Sequence, residues 1–466
     1  MHLIVLSLVL LAAAPTTQPV FGSGLQQRVD ELVRATMMHQ HLPGLSIAIA
    51  WRGHVLYARG YGDRDFAKKI AADADTVYNI ASNSKQFTAA SIMLLQQEGK
   101  LDLDDKVNRY LPEFAHGAQI TLRELLTHTS GIPDYVDLDH LPHQATARQF
   151  ADLVRATPLD FPPGSRFEYS NTNYMILGMI IEQVSGISYS SFMSRHFFEP
   201  LMMRDASTRV IPASQPDGAL GYTYDGAIVL APQTPDDLGY GDGTVNASVL
   251  DLVKWDAALD GGRVVDAASW HAMTQSPLHT GYGPRGGYGF GLDLSALYGH
   301  REVSHEGFNV GFASVNATFP DDGIEIVALS NGDPFDEDLF MKRVFAMLVS
   351  PTAEELAADL RSAPGEDAAV TAATKRLLAQ MCTGHIDAGM LAPKLKSDLT
   401  PAVARQTCIG AGASSTPKRF VYRGWQYRHG TKIYSYEAFY AASVVAVDVG
   451  VTSAHKIESI DIARED

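Results

Sequence analysis

Ser82 and Lys85, in the run Ser82-Asn-Ser-Lys85, are the two side chains of this sequence best suited by type and spacing to nucleophilic chemistry. A serine hydroxyl is a poor nucleophile until a base removes its proton. A lysine can be that base where burial lowers its pKa toward neutrality. Because side chains at i and i+3 share one face of a helix, the pair predicts acyl transfer through Ser82. The Ser82 amide at a helix N-terminus would then be an oxyanion donor.

The Ser-x-x-Lys spacing is not specific by itself, because it recurs at residues 415–418 and 453–456. The first of these contains Pro417, and neither begins an amphipathic helix. Without partners, Ser82 would more often be a helix cap than a nucleophile. In the same way, Lys85 would be a solvated helix lysine. The assignment therefore depends on the rest of the chain.

Two later segments supply such partners. Tyr169-Ser-Asn171 is the one Tyr-x-Asn of the sequence and precedes a predicted helix. A phenol can relay a proton when a nearby cation lowers its pKa, and an amide can hold a substrate carbonyl. His305-Glu-Gly307 lies on a predicted strand, where glycine allows close backbone approach. The alternative for Tyr169 is a core tyrosine with a satisfied hydroxyl. The alternative for His305 is a structural histidine at a strand end.

The elements that must position these residues follow from periodicity. Helices are predicted over 25–40, 82–98, 121–129, 174–184, 247–259 and 337–349. Strands are predicted over 45–51 and 55–61, joined by a hairpin, and over 288–294, 301–305, 310–319 and 324–329. Strands therefore open and close the first 350 residues. We expect an α+β fold, with one antiparallel sheet built from both ends, flanking helices and an inserted mainly helical region.

The chain of 466 residues is long enough for two or three domains. Composition breaks at Ser350-Pro351 and again at 362–365, so we expect a main domain over 23–350 and a small C-terminal α+β domain over 366–466. The role of the second domain is not predicted. Cys382 and Cys408 lie within it, and they are either a disulfide or two small buried hydrophobic residues.

Residues 1–22 have the apolar run of a signal peptide, which predicts a periplasmic or secreted protein. No later stretch is apolar and long enough for an integral membrane span. The net charge of −16 argues against a nucleic-acid partner. The histidines show no metal-ligand spacing, so we expect no metal and no cofactor. The oligomeric state is not predicted.

Several short segments, in this order, resemble the beta-lactamase-related serine hydrolases, a family that includes class C penicillinases, D-alanyl-D-alanine carboxypeptidases, D-aminopeptidases and esterases. They span about residues 25–350, and together they are much more specific than any one of them. The segments are Pro43-Gly-Leu-Ser-Ile-Ala-Ile-Ala50, Ile80-Ala-Ser-Asn-Ser-Lys-Gln-Phe-Thr88, Leu125-Leu-Thr-His-Thr-Ser-Gly-Ile-Pro133, 163–174, Asp251-Leu-Val-Lys-Trp255, Tyr288-Gly-Phe-Gly291 and 305–312.

The resemblance implies a serine beta-lactamase or penicillin-binding-protein-like fold and a role for each matching residue. Ser82 resembles the family's nucleophile, Lys85 its partner base and Tyr169 its second acid or base. Asn171 resembles the substrate-positioning amide. We therefore expect an acyl-enzyme on Ser82 and hydrolysis of a small-molecule or peptide substrate through its amide or ester bond.

His305 falls where penicillinases carry the lysine of Lys-Thr-Gly, and histidine is a common variant in the other branches. Gly307 and the N–H of Phe308 resemble the second half of the oxyanion hole. A rival His-x-Gly at 279–281 precedes the Tyr288 segment, whereas the family's motif follows it, so His305 is preferred. Loop residues that would line the pocket are Ser130, Tyr135 and Gly243.

A histidine in place of that lysine weakens the ionic interaction with a substrate carboxylate. This favours a D-amino-acid peptidase or a small-ester hydrolase over an efficient class C beta-lactamase. The alternative from another class is a non-catalytic penicillin-binding-protein-like sensor. A third alternative is that the C-terminal domain carries the specific function.

Overall fold

The computed structural model describes residues 21–464, with gaps at 138–146, 209–216, 233–240, 276–285, 334, 354, 357–359, 364, 414–415, 429 and 441–442. The predicted signal peptide, apart from its last two residues, and the rival His-x-Gly at 279–281 lie outside the described residues. Export therefore stays a prediction. Among the helices of the described part, none has the length and apolar character needed to cross a membrane.

The α-helices are named in chain order. They are α1 (Ser23–Gln40), α2 (Ser84–Gln97), α3 (Leu122–Leu126), α4 (Ala147–Ala156), α5 (Asn171–Ser185), α6 (Tyr189–Met193), α7 (Val249–Asp260), α8 (Ala267–Met273), α9 (Glu337–Val349), α10 (Ala368–Thr383), α11 (Pro393–Asp398) and α12 (Pro401–Gly410).

The strands are named in the same way. They are β1 (Gly44–Trp51), β2 (His54–Asp65), β3 (Ile70–Ala71), β4 (Tyr78–Asn79), β5 (Tyr222–Tyr224), β6 (Ile228–Leu230), β7 (Asn246–Ala247), β8 (Gly287–Tyr288), β9 (Asp293–Leu297), β10 (His300–Asn309), β11 (Phe312–Phe319), β12 (Ile324–Ser330), β13 (Gly332–Asp333), β14 (Arg419–Arg428), β15 (Thr431–Phe439), β16 (Val444–Val451) and β17 (Ile457–Arg464).

The main sheet has eight strands in the order β3-β2-β1-β12-β11-β10-β9-β8. Strand β1 pairs antiparallel with β12, from Leu45 opposite Ser330 to Trp51 opposite Ile324. The two ends of the main domain therefore meet in the middle of the sheet. This confirms the predicted α+β architecture of one antiparallel sheet built from both ends.

Both faces of this sheet are covered. Ile47 and Ile49 belong to a core shared with α1 and α9. Ala48 and Ala50, which point the opposite way because side chains alternate along a strand, belong to the larger core shared with the helical region. The small alanines let the helices of that region pack close to the sheet.

Helix α2 crosses the centre of the larger core. Residues 84–93 along it are all buried, and a helix that is buried all round belongs to the interior of a domain. Its first residues differ from the prediction, because 81–83 form a 3₁₀ turn before the α-helix begins at Ser84. Lys85 is thus carried into the core by the first turn of α2.

The expected strand over 288–294 is wrong in its extent. Strand β8 ends at Tyr288, and β9 begins at Asp293. The reason is Gly291, which has a positive φ of 70°. A Cβ atom there would lie 2.6 Å from the carbonyl oxygen of Lys85. The glycine therefore lets this bend pack directly on the start of α2.

The C-terminal residues have their own core. Strands β14 to β17 form a four-stranded antiparallel sheet, and α10 packs against α12. Cys382 and Cys408 form a disulfide between these helices, which decides the alternative left open by the sequence. Helices α11 and α12 escaped prediction because each begins with a proline, which looks like a loop signal but is favourable at the first helical position.

Candidate active site

Ser82 lies on the 3₁₀ turn that leads into α2. Ala81 before it has a φ of 45°, a left-handed conformation that costs energy for a residue with a side chain. The turn is held by Asn79, whose Oδ1 accepts from the Ala81 N–H at 3.0 Å. The strained backbone of Ala81, held in place by Asn79, therefore helps to set the orientation of Ser82.

Lys85 is fully buried and its Nζ lies within hydrogen-bond distance of three oxygens. These are Ser82 Oγ at 2.8 Å, Asn171 Oδ1 at 2.7 Å and the Asp242 carbonyl oxygen at 2.8 Å. The predicted pair is therefore in direct contact, and Asn171 joins it from the first residue of α5. The Asp242 carbonyl had no signature in the sequence.

The orientation of the Asn171 amide is fixed by Asp134. Its Nδ2 donates to Asp134 Oδ2 at 2.9 Å, and its backbone N–H donates to the same oxygen at 3.1 Å. Because the carboxylate can only accept, Asn171 Oδ1 must face Lys85. Asn171 is thus held by its two hydrogen bonds to Asp134, and it holds Lys85 through Oδ1.

Burial lowers the pKa of Lys85 from its ordinary value to about 8, against the opposing charges of Asp242, Asp134 and Asp293. At pH 7 about a tenth of the population then carries a neutral amine. Asn171 Oδ1 and the Asp242 carbonyl can only accept, so they take two N–H groups of that amine. The lone pair is left for Ser82, the only one of the three partners that can donate.

Tyr169 reaches Ser82 from the other side. Its hydroxyl lies 3.1 Å from Ser82 Oγ, and Lys85 Nζ lies 5.0 Å from the centre of its ring. The three residues predicted as catalytic are therefore brought together around one hydroxyl oxygen. The arrangement can move a proton from Ser82 to Lys85 and supply one through Tyr169.

His305 lies close to this group, but both ring nitrogens are engaged. Nδ1 contacts the Glu306 carbonyl oxygen, which can only accept, so Nδ1 carries the proton. Nε2 then accepts from the Tyr288 hydroxyl at 2.9 Å. Burial, followed by the charge of Lys85, lowers the pKa of His305 to about 3. His305 is thus uncharged at neutral pH.

Gly307 brings strand β10 against the turn that carries Ser82. A Cβ atom at this position would lie 3.0 Å from the Ser82 amide nitrogen and closer still to the Ile80 carbonyl oxygen. Only glycine allows this approach. Phe308 follows it, with a side chain that is 63% exposed.

The three loop residues predicted to line the pocket differ in how closely they are connected to Ser82 and Lys85. Tyr135 donates its hydroxyl to Asp242 Oδ2 at 2.8 Å, next to the carbonyl that holds Lys85. Ser130 is fully buried and donates to Asn173 Oδ1 at 2.6 Å. Gly243 offers its carbonyl to Asn79 at 3.2 Å. Tyr135 is thus the one that lies nearest to the Lys85 contacts.

Comparison with known sequences places this site in a family. The profile of the family described as Beta-lactamase matches residues 29–349. The chain belongs to the beta-lactamase family. The match includes Ser82, Lys85, Tyr169 and His305, and it ends where α9 ends.

Three relatives give the extent of the similarity. The chain is 36% identical over 210 residues to protein flp of Staphylococcus aureus (strain MW2), covering 43% of this chain and 42% of that protein. It is 32% identical over 317 residues to penicillin-binding protein 4* of Bacillus subtilis (strain 168), covering 64% of this chain and 70% of that protein. A D-stereospecific amidohydrolase from Streptomyces sp. superposes with a TM-score of 0.61 at 26% identity, covering 70% of this chain and 99% of that one.

The chain spans about two fifths of the length of flp. What is common to the comparisons is the fold of a beta-lactamase-family serine hydrolase, as the sequence predicted. Within the described residues, no group of three or more His, Cys, Asp or Glu side chains is placed to hold a metal ion.

His128 is a residue of this beta-lactamase-family site for which no role was predicted, although it lies in a segment that resembles the family. Its carbonyl oxygen accepts from Glu168 N–H at 3.0 Å, and its Nδ1 accepts from Ser170 N–H at 3.1 Å. Its ring lies 4.3 Å from that of Tyr169, centre to centre. His128 therefore holds the backbone on both sides of Tyr169 and packs against its ring.

The chemistry of His128 follows from these contacts. Because the Ser170 N–H can only donate, Nδ1 is unprotonated. Burial, followed by the charges of Lys85 and His305, holds the pKa of His128 well below its usual value. Its φ of 53° is left-handed, which Asn tolerates better than most residues. A neutral acceptor at this position is what the Tyr169 segment requires.

We expect His128→Phe to lower kcat by about tenfold with little change in KM, because a ring remains but the acceptor for Ser170 is lost. His128→Asn keeps an acceptor and suits the left-handed backbone, so it should stay within about threefold of the wild type. Steady-state kinetics and thermal melting of both variants check this. Wild-type kcat in a folded His128→Phe protein would contradict it.

Proposed function

We propose that this protein is a serine hydrolase that forms an acyl-enzyme on Ser82 and cleaves an amide or ester, with D-amino-acid amides and peptides as the main substrate class. The observation that carries the proposal is the partner set of Lys85. Of the three oxygens around its Nζ, only Ser82 Oγ can donate a proton. The lysine is thus arranged as the base for that serine.

In the first step, Ser82 Oγ forms a bond to the substrate carbonyl carbon while its proton passes to Lys85. The N–H groups of Ser82 and Phe308 stabilise the oxyanion. The close packing of Gly307 on the Ser82 amide supports this role for β10. The bond to the leaving amine or alcohol then breaks, and Tyr169 delivers the proton that this group needs. The proton held by Lys85 replaces it on Tyr169, so that Lys85 is neutral and Tyr169 is protonated again before the second step.

In the second step, a water molecule attacks the ester carbon of the acyl-enzyme. Its proton passes to the neutral Lys85, and the bond from the carbon to Ser82 Oγ breaks. Ser82 regains its proton through the same residues. No cofactor takes part in either step.

The substrate class is supported by two observations. The Streptomyces relative, at 26% identity, is a D-stereospecific amidohydrolase. His305 is uncharged at neutral pH and both of its nitrogens are engaged, so it offers no cation to a substrate carboxylate. Penicillins carry such a carboxylate, which makes an efficient beta-lactamase the less favoured activity. A small ester remains the second substrate class.

The test is active-site labelling with a fluorophosphonate probe, together with hydrolysis of D-phenylalanine amide and p-nitrophenyl acetate. The wild type should label at one serine and hydrolyse at least one substrate. Ser82→Ala should lose both, with activity down by at least about 10⁴-fold. Ser91→Ala is the matched control, since Ser91 lies on the same helix and its hydroxyl contacts the Phe87 carbonyl oxygen and Met193 Sδ, away from Ser82.

Each result decides something different. No labelling and no hydrolysis by the folded wild type would overturn the proposal and favour a non-catalytic binding or sensor protein. Labelling that survives Ser82→Ala would move the nucleophile elsewhere. Rapid hydrolysis of a penicillin with no action on D-amino-acid amides would leave the acyl-enzyme intact and replace the substrate class.

A further inference from the structure

The hairpin between β14 and β15 of the C-terminal domain touches the segment that carries Tyr169. The N–H of Gly430, at the turn, donates to Glu168 Oε1 at 2.8 Å. Glu168 precedes Tyr169 in the chain, and its own N–H donates to the His128 carbonyl oxygen. A residue of the C-terminal domain is therefore bonded to the immediate neighbour of a catalytic side chain.

A second contact reinforces the first. The guanidinium of Arg166 lies between two aromatic rings, 4.3 Å from the ring centre of Phe161 and 4.2 Å from that of Tyr427 on β14. The same guanidinium bonds Glu168 Oε2 at 2.7 Å. Cations over aromatic faces are attracted most when water is excluded. Here the side chains of Arg166 and Glu168 are only 24% and 9% exposed.

The two contacts divide the Glu168 carboxylate between the domains. One oxygen is held by Gly430 of the C-terminal domain and the other by Arg166, which is itself held by Tyr427. Since this carboxylate is buried, the loss of a partner would be costly, and the backbone would shift to recover one. Any such shift moves Tyr169, the next residue.

We propose that the C-terminal domain is a positioning element of the active site, which acts through Tyr427 and Gly430 on Glu168 to set the distance between Tyr169 and Ser82. This rests on the catalytic role of Tyr169 proposed above. The domain is thereby given a function of its own, separate from substrate binding. Tyr427 and Glu168 are positioning residues, because neither lies within contact of Ser82 Oγ.

The test uses three variants of the full-length protein. Tyr427→Leu removes the ring from the Arg166 guanidinium. Tyr427→Phe keeps the ring and removes only the hydroxyl, which makes it the rescue. Phe420→Leu is the matched control, because Phe420 is on the same strand and stacks on Tyr436 within the C-terminal domain. For each variant, kcat, KM, the pH–rate profile and the melting temperature are measured with an amide substrate.

We expect Tyr427→Leu to lower kcat by about tenfold or more at nearly constant KM, because a small displacement of an acid or base group is enough for such a loss. Its pH–rate profile should change shape as well. Tyr427→Phe and Phe420→Leu should remain within about twofold of the wild type. All of the variants should melt as single cooperative units.

The proposal is overturned if folded Tyr427→Leu has wild-type kcat and pH profile, or if Phe420→Leu loses as much activity as Tyr427→Leu. The first result would leave the domain contact as packing only, and the second would mean a general effect of domain stability. Both differ from failure of the proposed function, in which the wild type itself shows neither Ser82 labelling nor hydrolysis.

Discussion

Lys85→Met is expected to lower kcat for amide hydrolysis by roughly 10³-fold, because general-base catalysis of this kind contributes 10²–10⁴ in rate. Methionine has a similar length and no charge, so it removes the base without opening a large cavity. Asn171 Oδ1 and the Asp242 carbonyl lose their donor, which lowers the free energy of unfolding by about 1–3 kcal/mol each. This loss is offset because a charged amine no longer has to be buried. Steady-state kinetics and thermal melting measure both effects.

The pH dependence follows from the same residue. Lys85 acts as a base only when deprotonated, and its pKa is about 8. Activity of the wild type should therefore rise about tenfold per pH unit below pH 8 and level off above it. Lys100→Met is a control, since Lys100 is exposed and pairs with Glu98. A wild-type rate that is constant from pH 6 to pH 9 would show that Lys85 is not the base.

Tyr169→Phe is expected to separate substrates by their leaving group. An amine must be protonated as it leaves, whereas p-nitrophenolate is stable without a proton. Loss of the hydroxyl 3.1 Å from Ser82 Oγ should therefore lower amide hydrolysis by roughly 10²–10³-fold and p-nitrophenyl ester hydrolysis much less. Parallel kinetics on a D-amino-acid amide and its p-nitrophenyl ester analogue measure the difference.

The matched control is Tyr189→Phe, in which a buried hydroxyl is removed from a bond with Thr88 Oγ1. It should affect both substrates equally and only through stability. Equal losses on amide and ester in Tyr169→Phe would mean that the phenol positions Ser82 and does not supply the leaving-group proton.

The main domain was largely predictable because its elements have strong local signals. Helix α9 has the predicted bounds of 337–349, and the Thr121 capping box is present as expected. Two of the errors fall at glycine and proline. Gly291 interrupts a strand in order to pack on α2, and Pro401 begins a helix that reads as a loop. The role of Gly291 depends on a residue distant in sequence, and that of Pro401 depends on its position at the start of a helix.

The contact between Ser82 and Lys85 was predictable because the two residues are close in sequence, and Tyr169 was proposed as their neighbour from its motif. The supports of these residues were not. The Asp242 carbonyl is a backbone atom without a side-chain signature, and Asp134 is recognised only by its bonds to Asn171. Gly430 lies 262 residues from its partner Glu168. Contacts of this kind depend on tertiary packing, which periodicity does not describe.

The pairing of β1 with β12 has a consequence for how the protein is made. Leu45 leaves the ribosome 285 residues before Ser330, its partner in the sheet. At about 5–20 residues per second, β1 and β2 wait on the order of 15–60 s for β12. The 3₁₀ turn that carries Ser82 is synthesised within that interval. Its strained backbone therefore has no finished sheet to hold it, and activity should appear only after residue 330 has been synthesised and paired.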